Sequence, residues 1–254
     1  MVDVKLILGD CLTIMPTLPQ VDAIITDLPY GTTACAWDEV IPFAPMWAEV
    51  KRILKPRGVF VTTASQPFTS KLVMSNLEWF KYEWVWEKNR ASDFINANYR
   101  PMKQHENIEV FSDGDAAPGC INPMAYNPQG FVRKAIRKYK DSNLGIGRDR
   151  ASQHGNYTSK GENFPISILR FGIDNDVEHP TQKPVALYEY LILTYTNPGD
   201  TVLDISAGSG TTGVAAILTG RNAILIEKDA GYFEVMQRRI AQAQMQPNLF
   251  EAQP

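Results

Sequence analysis

The sequence contains little cysteine and little histidine. Its 254 residues include three of each, and Cys11, Cys35 and Cys120 are widely spaced with no C-x-x-C pair. This pattern argues against a disulfide framework and against structural zinc, so we predict no metal site. Few, unpaired cysteines are typical of a reducing compartment, and we therefore expect a cytoplasmic protein.

Long apolar runs and a strong net charge are also missing. No segment approaches the roughly 18 apolar residues of a membrane span, and the first ten residues, MVDVKLILGD, lack the basic start of a signal peptide. The formal net charge of -3 excludes a protein that coats nucleic acid by bulk charge, but it leaves room for a local basic patch.

Apolar strands and helical segments alternate along much of the chain. We predict strands at 5–9, 22–26, 59–63, 82–88, 107–112, 201–205 and 222–227. We predict helices at 43–54, 68–77 and 184–196, from Thr211 onward, and near the C-terminus. This alternation is typical of an α/β fold with a mostly parallel sheet and helices on both faces.

The middle of the chain differs from its two ends. Residues 113–178 are rich in Gly, Pro, Asn, Ser and charge, without sustained periodicity, and we interpret them as loops and short elements inserted into the domain. The chain therefore divides into 1–112, an insertion at 113–178, a second ordered part at 179–245 and a loose tail at 246–254.

A glycine-rich turn follows the strand TVLDI. Gly208, Gly210 and Gly213 satisfy G-x-G-x-x-G, and Glu227 ends the next strand, where a carboxylate commonly accepts hydrogen bonds from ribose hydroxyls. Asp204 precedes the glycines, where it suits a cationic amino-acid moiety but repels a pyrophosphate. This favours a nucleoside cofactor other than a nicotinamide, while a nicotinamide oxidoreductase and a ligand-free strand–helix turn remain the alternatives.

The segment AIITDLPYGT at 23–32 places an acid, a proline and an aromatic ring at the tip of an apolar strand. Proline ends a strand ladder and aspartate favours a turn, so Asp27, Pro29 and Tyr30 by themselves indicate only where the strand stops.

Four blocks in one order carry a family resemblance: DLPY at 27–30, HPTQKP at 179–184, DISAGSGTTG at 204–213 and LIEKD at 225–229. Together they resemble the β class of amino-group DNA methyltransferases, which use S-adenosylmethionine. The resemblance implies a seven-stranded, mostly parallel, Rossmann-like sheet with circularly permuted motifs, in which 82–88 and 107–112 form a partly antiparallel pair. Residues 1–112 are then the catalytic half, 113–178 the target-recognition insertion and 179–245 the cofactor-binding half.

The resemblance assigns a catalytic role to the DLPY block. The Asp27 carboxylate and the Pro29 carbonyl would accept hydrogen bonds from an exocyclic amine, and Tyr30 would stack on a base flipped out of the duplex. The alternative for Tyr30 is an aromatic ring that packs in the core.

The resemblance also implies a set of cofactor contacts. The block GDCL at 9–12 would touch the adenine of S-adenosylmethionine, and TQK at 181–183 would lie near its methionine end. The family more often has Pro and Phe at positions 205 and 206, so an expected aromatic contact is missing here. The predicted cofactor-binding residues are Asp10, Cys11, Thr181, Gln182, Lys183, Asp204, Ser206, Gly208, Ser209, Gly210, Thr211 and Glu227.

Basic residues are concentrated in the insertion, in VRKAIRKYK at 132–140 and just beyond it. A charge run of this kind is often only a solvated face, but beside a catalytic block it favours phosphate contact. The predicted DNA-binding residues are Arg133, Lys134, Arg137, Lys138, Lys140 and Arg148.

The resemblance therefore implies an adenine-N6 methyltransferase that acts on double-stranded DNA, because in this family a block that begins with serine is commoner among cytosine-N4 enzymes and DLPY begins with an acid. A cytosine-N4 enzyme is the nearest alternative, followed by an RNA or protein N-methyltransferase and by a nucleic-acid-binding module without chemistry. A homodimer, a restriction partner and the recognition sequence are left open.

Overall fold

A computed structural model describes residues 2–33, 38–139, 157–173 and 182–245. Its strands are β1 (Val4–Leu8), β2 (Val21–Asp27), β3 (Leu54–Ala64), β4 (Phe80–Ser92), β5 (Lys103–Ser112), β6 (Val132–Tyr139), β7 (Tyr157–Glu162), β8 (Ile168–Arg170), β9 (Thr201–Asp204) and β10 (Asn222–Glu227). Its α-helices are α1 (Cys11–Ile14), α2 (Phe43–Ile53), α3 (Phe68–Ser75), α4 (Val185–Tyr195), α5 (Thr211–Thr219) and α6 (Ala230–Met245).

Eight strands form one sheet in the order β1-β10-β9-β2-β3-β5-β4-β8. The strands from β1 to β3 in this order are parallel, whereas β5 runs antiparallel to both β3 and β4. The predicted α/β class and the predicted antiparallel pair are confirmed. Within the described residues the sheet has one strand more than the seven expected, because Ile168–Arg170, inside the segment interpreted as loops and short elements, pairs with β4 at the sheet edge.

Apolar residues bury both faces of this sheet. On one face, Trp84 and Trp86 of β4 pack with Tyr195 of α4. On the other, Phe60 of β3 and Phe111 of β5 pack against Trp47 of α2, with ring centroids 5.0 and 4.9 Å from Trp47. Strands covered on both faces are near-continuously apolar, as the sequence of β2 and β10 shows.

Residues Pro128–Ile166 form a separate unit. It holds the antiparallel pair of β6 and β7, and Phe131 packs on Phe164 within it at 4.8 Å between ring centroids. The unit lies inside the predicted insertion at 113–178, and the rest of that segment belongs to the unit that contains the large sheet. The functional division of the domain stays a prediction.

The strand order of the sheet reverses between β2 and β9. The chain continues from β2 to its neighbour β3 on one side, and from β9 to its neighbour β10 on the other. Connections that diverge in this way leave a crevice at the carboxyl ends of the strands, where open α/β sheets bind ligands. The ends of β2, β9 and β10 carry Asp27, Asp204 and Glu227, and Asp10 follows β1.

Candidate active site

Asp27 ends β2 with its carboxylate held by three side chains. Its Oδ1 accepts hydrogen bonds from the Tyr30 hydroxyl, at 2.9 Å, and from the Thr63 hydroxyl of β3. Its Oδ2 lies 2.5 Å from the Lys183 Nζ. The carboxylate is therefore fixed in orientation, while a quarter of the side chain stays exposed at the crevice.

Lys183 is a buried ammonium in the segment before α4. Besides the contact to Asp27, its Nζ lies 3.6 Å from Oε2 of Glu106. Burial alone would lower the pKa of Lys183, but the carboxylates of Asp27 and Glu106 outweigh it and raise this pKa above its ordinary value. The predicted cofactor-binding residue is thus a cation between two acids, and it faces the catalytic block directly.

Glu106 is a member of this cluster that the sequence interpretation did not single out. It lies on β5, and its Oε1 accepts a hydrogen bond from the Lys88 ammonium of β4. Burial raises the pKa of Glu106, but Lys183 and Lys88 together lower it to about 2, so the carboxylate is ionised at neutral pH.

A signal for both residues was present in the strand pattern. Glu106 falls in phase with Ile108 and Val110, and Lys88 falls in phase with Trp84 and Trp86. A charge on the buried face of a strand predicts a partner of opposite charge, because an unpaired buried charge is costly.

Tyr30 combines a polar and an apolar contact. Its ring stacks on Phe68 at the start of α3, with centroids 5.2 Å apart and planes inclined by 28°. Its hydroxyl donates to Asp27, and burial, followed by the charges of Asp27 and Glu106, raises its pKa well above its ordinary value. The hydroxyl therefore stays protonated, and stacking of this ring on a flipped base remains a prediction.

The loop after Tyr30 is closed by Asp38. Its carboxylate accepts hydrogen bonds from the backbone N–H groups of Gly31, Thr32 and Thr33 at 2.9, 2.8 and 2.7 Å. Burial alone would raise the pKa of Asp38, but these hydrogen bonds outweigh it and hold the pKa below its ordinary value. Asp38 is a second residue that the sequence interpretation missed, and it orders the backbone beside the DLPY block.

Asp204 is buried at the end of β9 and joins three elements. Its carboxylate accepts hydrogen bonds from the Thr26 hydroxyl of β2, at 2.6 Å, and from the Thr212 hydroxyl of α5. Burial raises its pKa to about 6. Its oxygens hold the glycine turn against β2, and the predicted direct contact with the cofactor stays a prediction.

Ser206 takes the place of the aromatic residue that the family resemblance leads one to expect. Its hydroxyl donates to the Asp27 carbonyl at 2.9 Å and lies 2.8 Å from the Thr26 hydroxyl. The serine thus links the glycine turn to the catalytic block through hydrogen bonds that a phenylalanine could not make.

Glu227 and Asp10 lie together at the ends of β10 and β1. The Glu227 carboxylate accepts hydrogen bonds from the N–H groups of Gly208 and Asp229, both at 2.7 Å, and burial raises its pKa. Asp10 caps α1 by accepting from the Leu12 N–H at 2.9 Å. Cys11 is buried, which raises the pKa of its thiol to about 11, and its contact with the cofactor stays a prediction.

The glycine turn has one open side and one closed side. A Cβ on Gly208, where φ is +51°, would meet nothing within 4 Å, whereas a Cβ on Gly210 would lie 2.7 Å from Met236. The Ser209 hydroxyl donates to Gln182 at 3.2 Å, and the Thr211 hydroxyl lies 3.4 Å from the Lys183 carbonyl. The turn therefore meets the TQKP segment, although Thr181 lies outside the described residues.

The predicted DNA contacts are only partly described. Arg133 lies exposed on β6, and the side chains of Lys134, Arg137 and Lys138 on the same strand are outside the described part. Lys140 and Arg148 also lie outside the described residues. Phosphate contact by this cluster stays a prediction.

The described ranges contain neither a cluster of metal-ligating side chains nor a membrane-spanning helix. No group of three or more His, Cys, Asp and Glu side chains there is placed to hold a metal ion. None of the helices in the same ranges is long and apolar enough to cross a membrane.

The crevice thus has the oriented Asp27 carboxylate on one side and the glycine turn with the Glu227 carboxylate on the other. The chain belongs to the DNA methylase family of N6/N4 methyltransferases, whose sequence model matches residues 21–238. This confirms the predicted family and its use of S-adenosylmethionine as methyl donor.

Individual proteins agree with this assignment. The chain is 29% identical over 246 residues to the DNA adenine methyltransferase YhdJ of Escherichia coli strain K12, across 91% of this chain and 81% of YhdJ. The structure of M1.HpyAVI with S-adenosylmethionine superposes with a TM-score of 0.63 at 24% identity, over 93% of this chain and 99% of that one. The cytosine-N4-specific PvuII DNA methyltransferase superposes with a TM-score of 0.68 at 17% identity, over 97% and 88%.

Proposed function

We propose that this DNA methyltransferase transfers a methyl group from S-adenosylmethionine to the N6 amine of an adenine flipped out of double-stranded DNA. The observation that carries the proposal is the Asp27 carboxylate, held at a strand end by Thr63, Tyr30 and Lys183 next to the glycine turn. It is an oriented hydrogen-bond acceptor beside a cofactor crevice.

An exocyclic amine needs such an acceptor. Its lone pair is delocalised into the ring, and hydrogen bonds from its two hydrogens to the Asp27 carboxylate and the Pro29 carbonyl localise that pair on nitrogen. Proline restricts its own φ and so helps to hold this short loop in place. The localised lone pair would be directed at the methyl group that S-adenosylmethionine supplies, whose sulfur would keep the electrons of the broken carbon–sulfur bond, and the proton lost by the nitrogen would pass to the Asp27 carboxylate or to water.

The surrounding charges suit this role. Lys183 pairs with the Asp27 carboxylate, and Glu106 lies between Lys183 and Lys88, so two ammonium groups face the two acids. An ionised carboxylate is a stronger hydrogen-bond acceptor than a neutral one.

The residues at the other side of the crevice fit S-adenosylmethionine. This cofactor supplies a methyl group already activated on a positively charged sulfur. Glu227 is a carboxylate suited to ribose hydroxyls, Asp10 and the Cys11 backbone lie beside it, and the open side of Gly208 leaves room for a ligand. Gln182, Lys183, Ser209 and Thr211 would lie towards the methionine end.

Two observations favour adenine over cytosine as the target base. The catalytic block begins with an acid, and YhdJ, the relative described above, is named as an adenine methyltransferase. The likeness to the cytosine-N4 enzyme extends to the fold alone.

The basic residues of β6 and beyond would hold the duplex by its phosphates. The homodimer and the cytoplasmic location remain predictions.

Product analysis tests the proposal directly. DNA is incubated with purified chain and methyl-deuterated cofactor, digested to nucleosides and examined by mass spectrometry. We expect label in N6-methyl-2′-deoxyadenosine. Label confined to N4-methyl-2′-deoxycytidine would make the adenine assignment wrong. Label that appears only in a parallel incubation with RNA would overturn DNA as substrate, and heat-inactivated chain is the control.

A further inference from the structure

The turn between β4 and β5 exposes an unusual amount of apolar surface. Phe94, Ile95 and Tyr99 are 79%, 90% and 89% exposed. Three large apolar side chains within six residues are costly to leave in water, and such exposure commonly marks a contact surface.

This turn is ordered by its own hydrogen bonds. The Asp93 carboxylate accepts from the Asn96 side chain at 2.5 Å and pairs with the Arg100 guanidinium at 2.7 Å. The N–H groups of Asn96 and Tyr99 donate to the carbonyls of Asp93 and Asn96 at 3.0 and 2.9 Å. The apolar side chains are therefore presented on a built scaffold rather than on a loose loop.

The turn leaves the sheet beside the catalytic block. Of the two strands that support it, β4 contributes Lys88 and β5 contributes Glu106, and this pair holds Lys183 next to Asp27. Lys103, the first residue of β5, donates to the Ser65 hydroxyl just after β3. The exposed side chains thus project from the same sheet edge that would receive a flipped base.

The charge around the turn is positive although the chain is acidic overall. Residues 88–103 contain the basic Lys88, Arg90, Arg100 and Lys103 and one acid, Asp93, and of these Lys88 is paired with Glu106 and Arg100 with Asp93. Arg90 and Arg100 are exposed. An apolar tip between exposed arginines complements DNA, whose backbone is anionic and whose interior is a stack of apolar base faces.

We propose that this turn inserts Phe94 or Ile95 into the base stack, where the side chain fills the gap left by the extruded target base. This inference rests on the proposed function, since only an enzyme that flips a base leaves such a gap. Inserted apolar side chains compensate unstacking, which otherwise opposes flipping.

A paired and an unpaired target distinguish this role from simple DNA contact. The site methylated by the wild-type chain is first mapped on DNA, and two duplexes are then made that contain it. One is fully paired, and the other has an abasic position opposite the target base, which removes the pairing that flipping must break. The variant is Phe94→Ala with Ile95→Ala, and the matched control is Met74→Ala with Leu77→Ala, two exposed apolar residues at the end of α3 and just after it.

We expect the Phe94/Ile95 variant to lose about 10-fold or more in kcat/KM on the paired duplex and to regain most of it on the unpaired duplex. The Met74/Leu77 control should match wild type on both. Recovery on the unpaired duplex also shows that the variant is folded.

Several results would overturn the inference. If the variant matches wild type on the paired duplex, or loses equally on both duplexes, the turn does not assist flipping. If sedimentation shows that the variant breaks a wild-type dimer, the turn is a protein interface instead. A wild-type chain that methylates no DNA overturns the proposed function and this inference together, so the two failures are distinguishable.

Discussion

The Lys183 ammonium and the Asp27 carboxylate lie 2.5 Å apart, although 156 positions separate them in the chain. The pair joins the segment before α4 to the end of β2. It places a cation next to the TQKP segment's glycine-turn contacts directly on the acid of the DLPY block, so these two parts of the crevice are joined by an ion pair.

Replacing Asp27 by alanine tests the central role of this acid. We expect Asp27→Ala to lower methyl transfer by about 100-fold or more, because the amine loses its main oriented acceptor. Binding of S-adenosylmethionine, measured by calorimetry, should be largely retained, since the glycine turn and Glu227 are untouched.

Asp22→Ala is the matched control for that variant. Asp22 lies on the same strand near the opposite end, paired with Lys55 at 2.7 Å, and should leave methyl transfer unchanged. Full activity of Asp27→Ala, measured with labelled cofactor, would show that Asp27 is not the acceptor.

Glu106 should act as a positioning residue through Lys183. We expect Glu106→Gln to lower kcat by about 10-fold while KM for S-adenosylmethionine changes little, because the ammonium loses one of its two carboxylates and shifts on Asp27. Glu106→Asp should recover part of the loss.

Glu87→Gln is the comparison, because Glu87 pairs with the exposed Arg170 at 2.9 Å on the neighbouring strand. Steady-state kinetics at matched concentrations of folded protein make the measurement. An increase in KM with no change in kcat, or an equal decrease in kcat for Glu106→Gln and Glu87→Gln, would contradict a positioning role.

Gly210 is required for both its conformation and its lack of a side chain. Its φ is +80°, and an added Cβ would lie 2.7 Å from the Met236 side chain. We expect Gly210→Ala to reduce the free energy of unfolding by roughly 1–2 kcal/mol for the left-handed backbone and by a further 1–3 kcal/mol for the crowding.

Gly199→Ala separates the two contributions. Gly199 has φ +85°, but an added Cβ there meets nothing within 4 Å, so only the backbone cost should appear. Urea unfolding of both variants makes the comparison. Equal destabilisation would mean that the Met236 side chain moves away from the added Cβ without a loss of stability.

Glu109 should make folding stability depend on pH. It is fully buried on β5, and neither of its carboxylate oxygens has a hydrogen-bond partner among the described residues. Burial, with a smaller effect of Glu83, raises its pKa from 4.5 to about 7. The folded chain therefore keeps this proton up to about pH 7 while the unfolded chain releases it near 4.5, so the contribution of Glu109 to stability declines between these values.

Glu109→Gln should remove that decline. We expect the melting temperature of the variant, relative to wild type, to be higher at pH 8 than at pH 5. Glu78→Gln, at a largely exposed side chain, should show no such difference between the two pH values. A difference for Glu109→Gln that is independent of pH would mean that the carboxyl titrates normally.

Much of the site was predictable because its residues sit at the ends of apolar strands. Asp27, Asp204 and Glu227 each close a run of buried residues, and strand ends of a parallel sheet share one edge. The same logic predicted the helices that cover both faces, since the alternation of strands and helices leaves few other arrangements.

Other features depended on segments far apart in the chain. Glu106 is a partner of Lys183 only because β5 pairs antiparallel with β3 and β4 in one particular register. Ser206 donates to the Asp27 carbonyl because β9 lies next to β2, and Ile168–Arg170 becomes a strand only because β4 offers it an edge.

The sequence by itself determined the class of fold, the order of the motifs and the acids and glycines of the crevice, because strand periodicity and turn chemistry are local properties of the chain. Tertiary structure alone decided that Lys183 lies between Asp27 and Glu106, that Asp204 is a buried structural link, and that Phe94 and Ile95 stand exposed beside the site. Those facts follow from strand order, register and burial, which bring together residues that no local pattern connects.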